Sequence, residues 1–301
     1  MVEVGGRADR HGWTQQTTVS PRTNVAWAFR PGTTVRAAWG QYHQAHTLQD
    51  LSVVDGDTAF ARAERAEHRV LGVEHELGGG WTGRAEGYQR LLTTPRARYV
   101  NIDGSAQNPL PEGDLDRVRF APSSADVSGV ELLMQYDRGG RVRGGASLVM
   151  SRATAVIDGR RTPRAFDEPV AATADITYRG SRRWTVAASF TARSGWPIVG
   201  PSFGIDTVAP GRYAARRLSS SPFFTERLAA YQRVDLRATK SSQTSRGRVI
   251  VWGDVFNVFN HKNQQGYSYE WVLASPTLVN VYRGRNDFLG RLPTVGVGWE
   301  F

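Results

Sequence analysis

Apolar and polar residues alternate with a period of two along most of this chain, and helical periodicity is almost absent. Ala172, Ala174, Ile176 and Tyr178 alternate with Thr173, Asp175, Thr177 and Arg179; Trp184, Val186, Ala188, Phe190 and Ala192 alternate with Thr185, Ser189, Thr191 and Arg193. Val130, Leu132, Met134 and Tyr136 alternate with Glu131, Gln135 and Asp137, and Val234, Leu236 and Ala238 with Arg233, Asp235 and Arg237. The pattern predicts about twelve strands: Val2–Asp9, Asn24–Arg30, Thr34–Tyr42, His68–Leu77, Trp81–Leu91, Val130–Asp137, Val142–Ser151, Val170–Arg179, Trp184–Arg193, Tyr231–Thr239, Arg248–Val258 and Leu292–Phe301. A soluble sandwich also alternates, so periodicity alone leaves the solvent of the apolar face open.

The connections carry more information. Pro31-Gly-Thr33, Gly78-Gly-Gly80, Arg138-Gly-Gly140, Gly180-Ser-Arg182 and Ser241–Gly247 are short and mostly glycine-bearing, as tight hairpins require. Arg10–Thr23, His43–Glu67, Leu92–Gly129, Arg152–Pro169, Ser194–Ala230 and Phe259–Arg291 are long. Alternation of short with long puts every long loop on one side of the sheet. Such loops are uncommon in compact soluble domains. They are the rule in outer-membrane barrels, which have short periplasmic turns and long extracellular loops. Phe29, Tyr178, Trp81, Trp184, Trp299 and Phe301 all lie beside the short turns, where an interfacial aromatic belt sits. Arginine on the lipid face at mid-membrane costs about 2–4 kcal/mol, and in this register the charges fall on the other face, with His75 and Gln89 the polar exceptions. The fold class read from these features is all-β, an antiparallel transmembrane β-barrel.

Length agrees: 301 residues exceed most single soluble domains but suit a many-stranded barrel. No apolar run approaches the 18 or so residues of a membrane-spanning helix, which leaves a barrel untouched, since only alternate residues of a barrel strand face lipid. Net charge is +10, and every basic residue except Lys240 and Lys262 is arginine. The arginines are scattered and often lie two residues from an acid, with no basic helix or RNA-binding motif, so nucleic acid is not an expected partner. The chain has no cysteine, which removes disulfides, thiol catalysis and cysteine zinc sites.

Several segments, in order, resemble the C-terminal part of a TonB-dependent outer-membrane receptor. They are Ser20-Pro-Arg22 with Val25–Pro31; Thr34–Tyr42 with Leu48–Leu51; Glu67–His75; Gly129–Leu132; Arg193-Ser-Gly-Trp-Pro197; Asp254-Val-Phe-Asn-Val-Phe-Asn260; and the aromatic terminal strand Leu292–Phe301. The resemblance covers essentially the whole chain. It implies energy-coupled uptake of a scarce nutrient, such as a ferric siderophore, cobalamin or a glycan, with the TonB–ExbB–ExbD complex, outer-membrane lipid and a small-molecule ligand as partners. It also implies that residues 1–301 are the C-terminal portion of a barrel of about 22 strands. No plug domain, TonB box or signal peptide is expected before Val2, and such a fragment is not expected to insert alone, because unpaired edge strands in lipid are costly. In this family the terminal strand is read by the barrel-assembly machinery, which would make Phe301, Trp299 and Val297 an assembly signal. Two alternatives stand beside this reading: a passive outer-membrane pore, and a soluble all-β binding or adhesion protein.

Candidate chemistry is sparse. His43-Gln-Ala-His46 lies on extended chain, where residues three apart point to opposite faces, and Asp55, Asp57 and Asp103 lack the ligand repeat of a calcium loop. No Ser/His/Asp grouping is recognisable, so neither an enzyme nor a cofactor is expected. Arg84 with Glu86, Arg233 with Asp235, and Asp254 with Arg143 or Glu300 are expected to satisfy one another inside the barrel. The ligand candidates are the long-loop residues Arg98, Tyr99, Trp196, Tyr213, Phe223, Phe224, Tyr267, Tyr269 and Trp271.

Overall fold

The computed structural model describes residues 1–101, 117–181, 183–199, 202–218 and 223–301. Twelve long strands follow one another: β1 (Val2–His11), β2 (Gln16–Arg30), β3 (Thr33–Gln44), β4 (Glu64–Gly78), β5 (Trp81–Leu92), β6 (Ser124–Asp137), β7 (Val142–Ile157), β8 (Val170–Arg179), β9 (Trp184–Arg193), β10 (Tyr231–Thr244), β11 (Gly247–Phe256) and β12 (Leu292–Glu300). Each pairs antiparallel with its neighbours in sequence, giving one meander from β1 to β12, with the short segment Arg160–Pro163 added beside the end of β7. β1 and β12 are the two edges of this barrel wall. The terminal strand pairs backwards with β11, Trp299 opposite Val249 and Val295 opposite Gly253.

All twelve strands coincide with those expected from the alternation, and most run further toward the long-loop side. One expected loop disappears. Arg10–Thr23 is not a long connection, because β1 and β2 pair as far as His11 opposite Gln16, leaving a four-residue turn. Polar residues such as Thr17 and Thr18 hid this pairing. β11 ends at Phe256, so Val258 belongs to the following turn. Three of the long connections are themselves partly ordered as hairpins: Arg98–Asn101 with Arg117–Phe120, Ser202–Ala209 with Arg212–Leu218, and Gln264–Ser275 with Leu278–Asp287. The Gly78-Gly-Gly80 turn needs its glycines, since all three have positive φ (83°, 61° and 92°). Arg182 of the expected Gly180–Arg182 turn and Asp103 lie outside the described residues.

Register sorts the two faces. The outward row through β4, β5, β6 and β7 runs Leu71, Gly87, Val130, Met150, and the next runs Val73, Ala85, Leu132, Leu148. Leu71, Val73, Val130, Leu132 and Met150 of these rows stand exposed, Leu71 at 63%, as a lipid-facing surface does. The lumen face carries the charges. Arg84 pairs with Glu86, Arg233 lies 2.9 Å from Asp235, and Arg36 3.6 Å from Glu74. Asp254 pairs with neither Arg143 nor Glu300. It faces Arg237 at 3.5 Å, the residue opposite it on β10, while Glu300 takes Arg248 from its own partner strand. The two polar exceptions are satisfied. His75 Nδ1 is 2.8 Å from Thr33 Oγ1 at the short turn, and Gln89 donates to Asp126 at 3.0 Å toward the loop end. At the short-turn end Trp81 packs on Tyr136, Trp27 on Phe29, and Trp299 on Phe301.

A barrel wall has little conventional core. The buried apolar cluster is a single rung, Ala66, Leu92, Ala125 and Ala155, crossing β4 to β7 at their loop ends. Above this rung on the lumen side lies the most elaborate polar site of the described residues.

Candidate ligand-binding vestibule

The strand pairing that ends at Gln44 opposite Glu64 brings the lumen-facing ends of β3, β4 and β5 together. The connection after β3 folds back over them through two single-turn helical segments, Leu48–Asp50 and Val53–Asp55. The chain after β5 climbs beside them, and Arg164 approaches from beyond β7. They enclose a cavity of about 660 Å³ whose charged lining is Asp50, Asp57, Glu64, Arg90, Arg96, Arg98 and Arg164, with Tyr99 and the apolar Leu51, Val53, Val54 and Leu92 beside them.

Glu64 organises it. This carboxylate is buried, 6% exposed. It accepts the backbone N–H of Arg96 at 2.9 Å and the Arg98 guanidinium at 3.0 and 3.3 Å. Arg96, whose side chain is 7% exposed, donates Nη2 to Asp50 Oδ1 at 2.8 Å and places Nε 3.9 Å from Glu64. Its Nη1 is buried and has no hydrogen-bond partner. Asp50 caps its own helical turn by accepting the Thr47 N–H at 2.9 Å and the Thr47 hydroxyl at 2.6 Å. Burial, the largest influence, pushes the Asp50 carboxyl up, but the Thr47 bonds and the Arg96 guanidinium outweigh it and hold it below its ordinary value of 3.8. Arg164 is lowered from its ordinary value, first by burial and then by the neighbouring charges of Arg98 and Arg90. A partly buried group crowded by like charges in this way is suited to hold a polar ligand of opposite sign.

The nine candidate residues do not converge on one point. Arg98 and Tyr99 line the vestibule. Trp196 belongs to a second network, donating to Glu168 at 2.5 Å with Arg193 stacked over its ring at 4.0 Å and Phe166 against its edge. There Asp167, buried at 3%, accepts from Ala153 N–H and Arg227, which also bonds the carbonyls of Asp167 and Gly195. Phe223 lies under Arg160 at 4.3 Å and Phe224 packs on Phe120. Tyr267 lies under Arg283 at 3.4 Å and 6.3 Å from Tyr269, and Trp271 packs on Phe203 of the neighbouring hairpin. Tyr213 lines an open hollow with Leu273 between these two hairpins. Asp50, Glu64, Arg90, Arg96 and Arg164 were not expected from sequence. The one available signal was Thr94-Pro-Arg-Ala-Arg98, two arginines in alternation just after a strand. His43 and His46 diverge, the first meeting Ser20 and the second the Ala61 N–H. Among the described residues no three His, Asp or Glu side chains gather as a metal site.

The Asp254–Asn260 segment is structural. Asn257 and Asn263 are 1% exposed. Asn257 clasps the turn through His261 N–H and C=O at 3.0 and 2.9 Å, and Asn263 pairs with both backbone groups of Gln232 at 2.8 Å. Their side-chain amides satisfy the backbone where β11 has ended beside the start of β10.

The family description "TonB dependent receptor-like, beta-barrel" matches residues 1–258. No curated protein matches the chain. Among solved structures it is similar to the copper transporter OprC (TM-score 0.62, 16% identity, covering 95% of this chain and 40% of that one). It is also similar to the unliganded ferric citrate transporter FecA (0.57, 14%, 98% and 42%) and to the ferripyoverdine receptor of the outer membrane of Pseudomonas aeruginosa (0.57, 13%, 94% and 33%). The chain thus spans less than half the length of each of these structures.

Proposed function

Since the chain belongs to the TonB-dependent receptor family and has the build of its β-barrel, we propose that it forms part of an outer-membrane receptor for energy-coupled uptake of a small nutrient. The observation that carries this is the sorting of twelve meandering strands into an exposed apolar face and a charged lumen face, with the long loops at one end and aromatic residues at the other. Water-filled lumens and lipid-facing walls sort in this way. The ligand is captured at the loop end, by the vestibule with Arg98 and Tyr99 and by the loop aromatics Trp196, Tyr213, Phe223, Phe224, Tyr267, Tyr269 and Trp271. TonB, energised through ExbB and ExbD, acts on a plug that lies outside residues 1–301. The strand carrying Val297, Trp299 and Phe301 is the segment offered to the barrel-assembly machinery; its outward side chains are among the most exposed in the chain, Val295 at 88%. The role is transport, with no catalysis.

The test is growth of the source strain with and without the gene on ferric chelates, cobalamin and glycan fragments as limiting nutrients, each with TonB intact and disabled. Growth on at least one nutrient that needs both the gene and TonB is expected. Uptake that needs the gene but not TonB would instead indicate a passive pore, and a product free in the soluble fraction would indicate a binding protein. Alanine at Trp196, Tyr269 and Trp271 should lower affinity for that nutrient at one or more of the three; unchanged affinity at all three removes them from the site.

A further inference from the structure

The vestibule has an unfilled requirement. Arg96 is more than nine-tenths buried, yet only part of its guanidinium fork is used: Nη2 by Asp50, Nε at long range by Glu64. Nη1 donates to nothing. Buried polar groups in folded proteins are almost always hydrogen-bonded, and a charged donor left without a partner is among the more costly exceptions. The carboxylates of the lining do not supply the deficit. Glu64 is committed to the Arg96 backbone and to Arg98, and Asp50 to Thr47 and Arg96. Asp57 lines the cavity and is only half-buried. Four guanidiniums against three carboxylates leave the lining cationic, and among the described residues neither Arg90 nor Arg164 has a carboxylate partner.

We propose that this cavity binds an oxyanion, the carboxylate or phosphate oxygens of a ligand, through the free edge of Arg96 with Arg90 and Arg164 as flanking cations. The inference rests on the receptor reading and narrows its ligand to one bearing such groups. A guanidinium edge pre-set by Asp50 and Glu64 presents parallel N–H donors, the geometry that carboxylate and phosphate match bidentately. Fixing the fork before binding removes the entropy cost a free arginine side chain would carry. An anion also relieves the crowding of positive charge around Arg164.

The test is isothermal titration of the protein purified in detergent from outer membranes, expressed from its native gene, at low salt. The probes are tricarballylate and inorganic phosphate, with glycerol as the uncharged control. Saturable binding of either anion, weakened by added salt and absent for glycerol, is expected. Binding of tricarballylate alone assigns a polycarboxylate, of phosphate alone a phosphate, and of both an oxyanion site of broad acceptance. Arg96→Lys keeps the charge but loses the fork and should weaken binding at least about tenfold. Arg90→Gln, at an exposed position with no carboxylate partner among the described residues, leaves the fold intact and should weaken it about two- to fivefold. Absence of binding for both anions, or binding untouched by both substitutions, overturns the proposal. Either result leaves the receptor reading standing if the protein is still recovered from the outer membrane and still supports TonB-dependent growth.

Discussion

Neighbouring positions on β9 separate a lipid face from a lumen face as cleanly as a single strand allows. Ala188 pairs with Ile176 and Leu236, in the apolar rows, whereas Ser189 pairs with Asp175 and Asp235 on the charged face. Ala188 lies four residues from the belt residue Trp184 and four from Ala192. At ~3.4 Å per residue this is ~14 Å of strand either way, and with a tilt of roughly 40° about 10 Å of depth, close to the midplane. Ala188→Arg should therefore cost about 2–4 kcal/mol, a shift of roughly 30- to 700-fold in the folding equilibrium. Ser189→Arg places the same side chain between two carboxylates and should stay within about 1 kcal/mol of the parent. The assay is equilibrium urea unfolding of the full-length receptor in phospholipid vesicles, followed by tryptophan fluorescence and by heat-modifiable gel mobility. Equal costs at the two positions, or a larger cost at Ser189, would refute the assignment of faces and with it the membrane register of the whole sheet.

The remaining predictions concern the loop end. Asp167→Ala removes a buried carboxylate and leaves Arg227 unpaired beside two carbonyls; with Arg227 35% exposed, the cost should fall near the low end for a broken buried pair, about 3 kcal/mol. Hydrogen exchange at Ala153 N–H, which donates to Asp167 at 2.5 Å, should accelerate accordingly, and unchanged protection would show that the network carries no stability. Asp50 has its folded value lowered below 3.8, so its contribution to folding is fully present above that value and is lost as the pH falls below it toward the lowered value. The Leu48–Asp50 turn should hold from neutrality down to about pH 4 and then release. Release in Asp50→Asn already at neutral pH checks the assignment, and a parent turn that loosens near pH 6 would contradict it.

The strands were legible because a barrel writes its fold in single residues. Lipid-facing positions near mid-membrane are held apolar and each glycine turn must reverse the chain, so alternation such as Trp184–Ala192 and punctuation such as Gly78–Gly80 locate all twelve. The ends were less legible. Beyond the membrane the outward face meets water, alternation is no longer required, and β1, β2 and β10 continue through polar residues that look like loop. The Thr17–Thr18 stretch was lost for that reason. Asp254 faces Arg237 rather than the expected Arg143 or Glu300 because lumen pairing depends on cross-strand register, which composition does not reveal.

The vestibule was hidden for a different reason. Its parts come from the end of β4, the turn at Asp50, the climb after β5 and Arg164, segments up to 114 residues apart in numbering. Nothing in a linear pattern links Glu64 to Arg96 until β4 and β5 are paired. The loop aromatics were visible as residue types, but type does not distinguish a ligand platform from a strut. Trp196 is bonded to Glu168 and stacked on Arg193, whereas Arg98, half exposed at 50%, is bound on one side and open on the other.

Sidedness is the property on which all the rest depends, and residues 1–301 are free of cysteine, so in the full-length receptor, with any cysteine elsewhere replaced, it is open to direct measurement. Single cysteines at Val54, 75% exposed on the vestibule loop, and at Ser245, in the two-residue turn between β10 and β11, report on opposite ends of the barrel. With a membrane-impermeant maleimide, Val54→Cys should label in intact cells and Ser245→Cys only after the outer membrane is permeabilised. Labelling of both in intact cells, or the reverse pattern, would contradict a barrel that spans the outer membrane with its long loops outside.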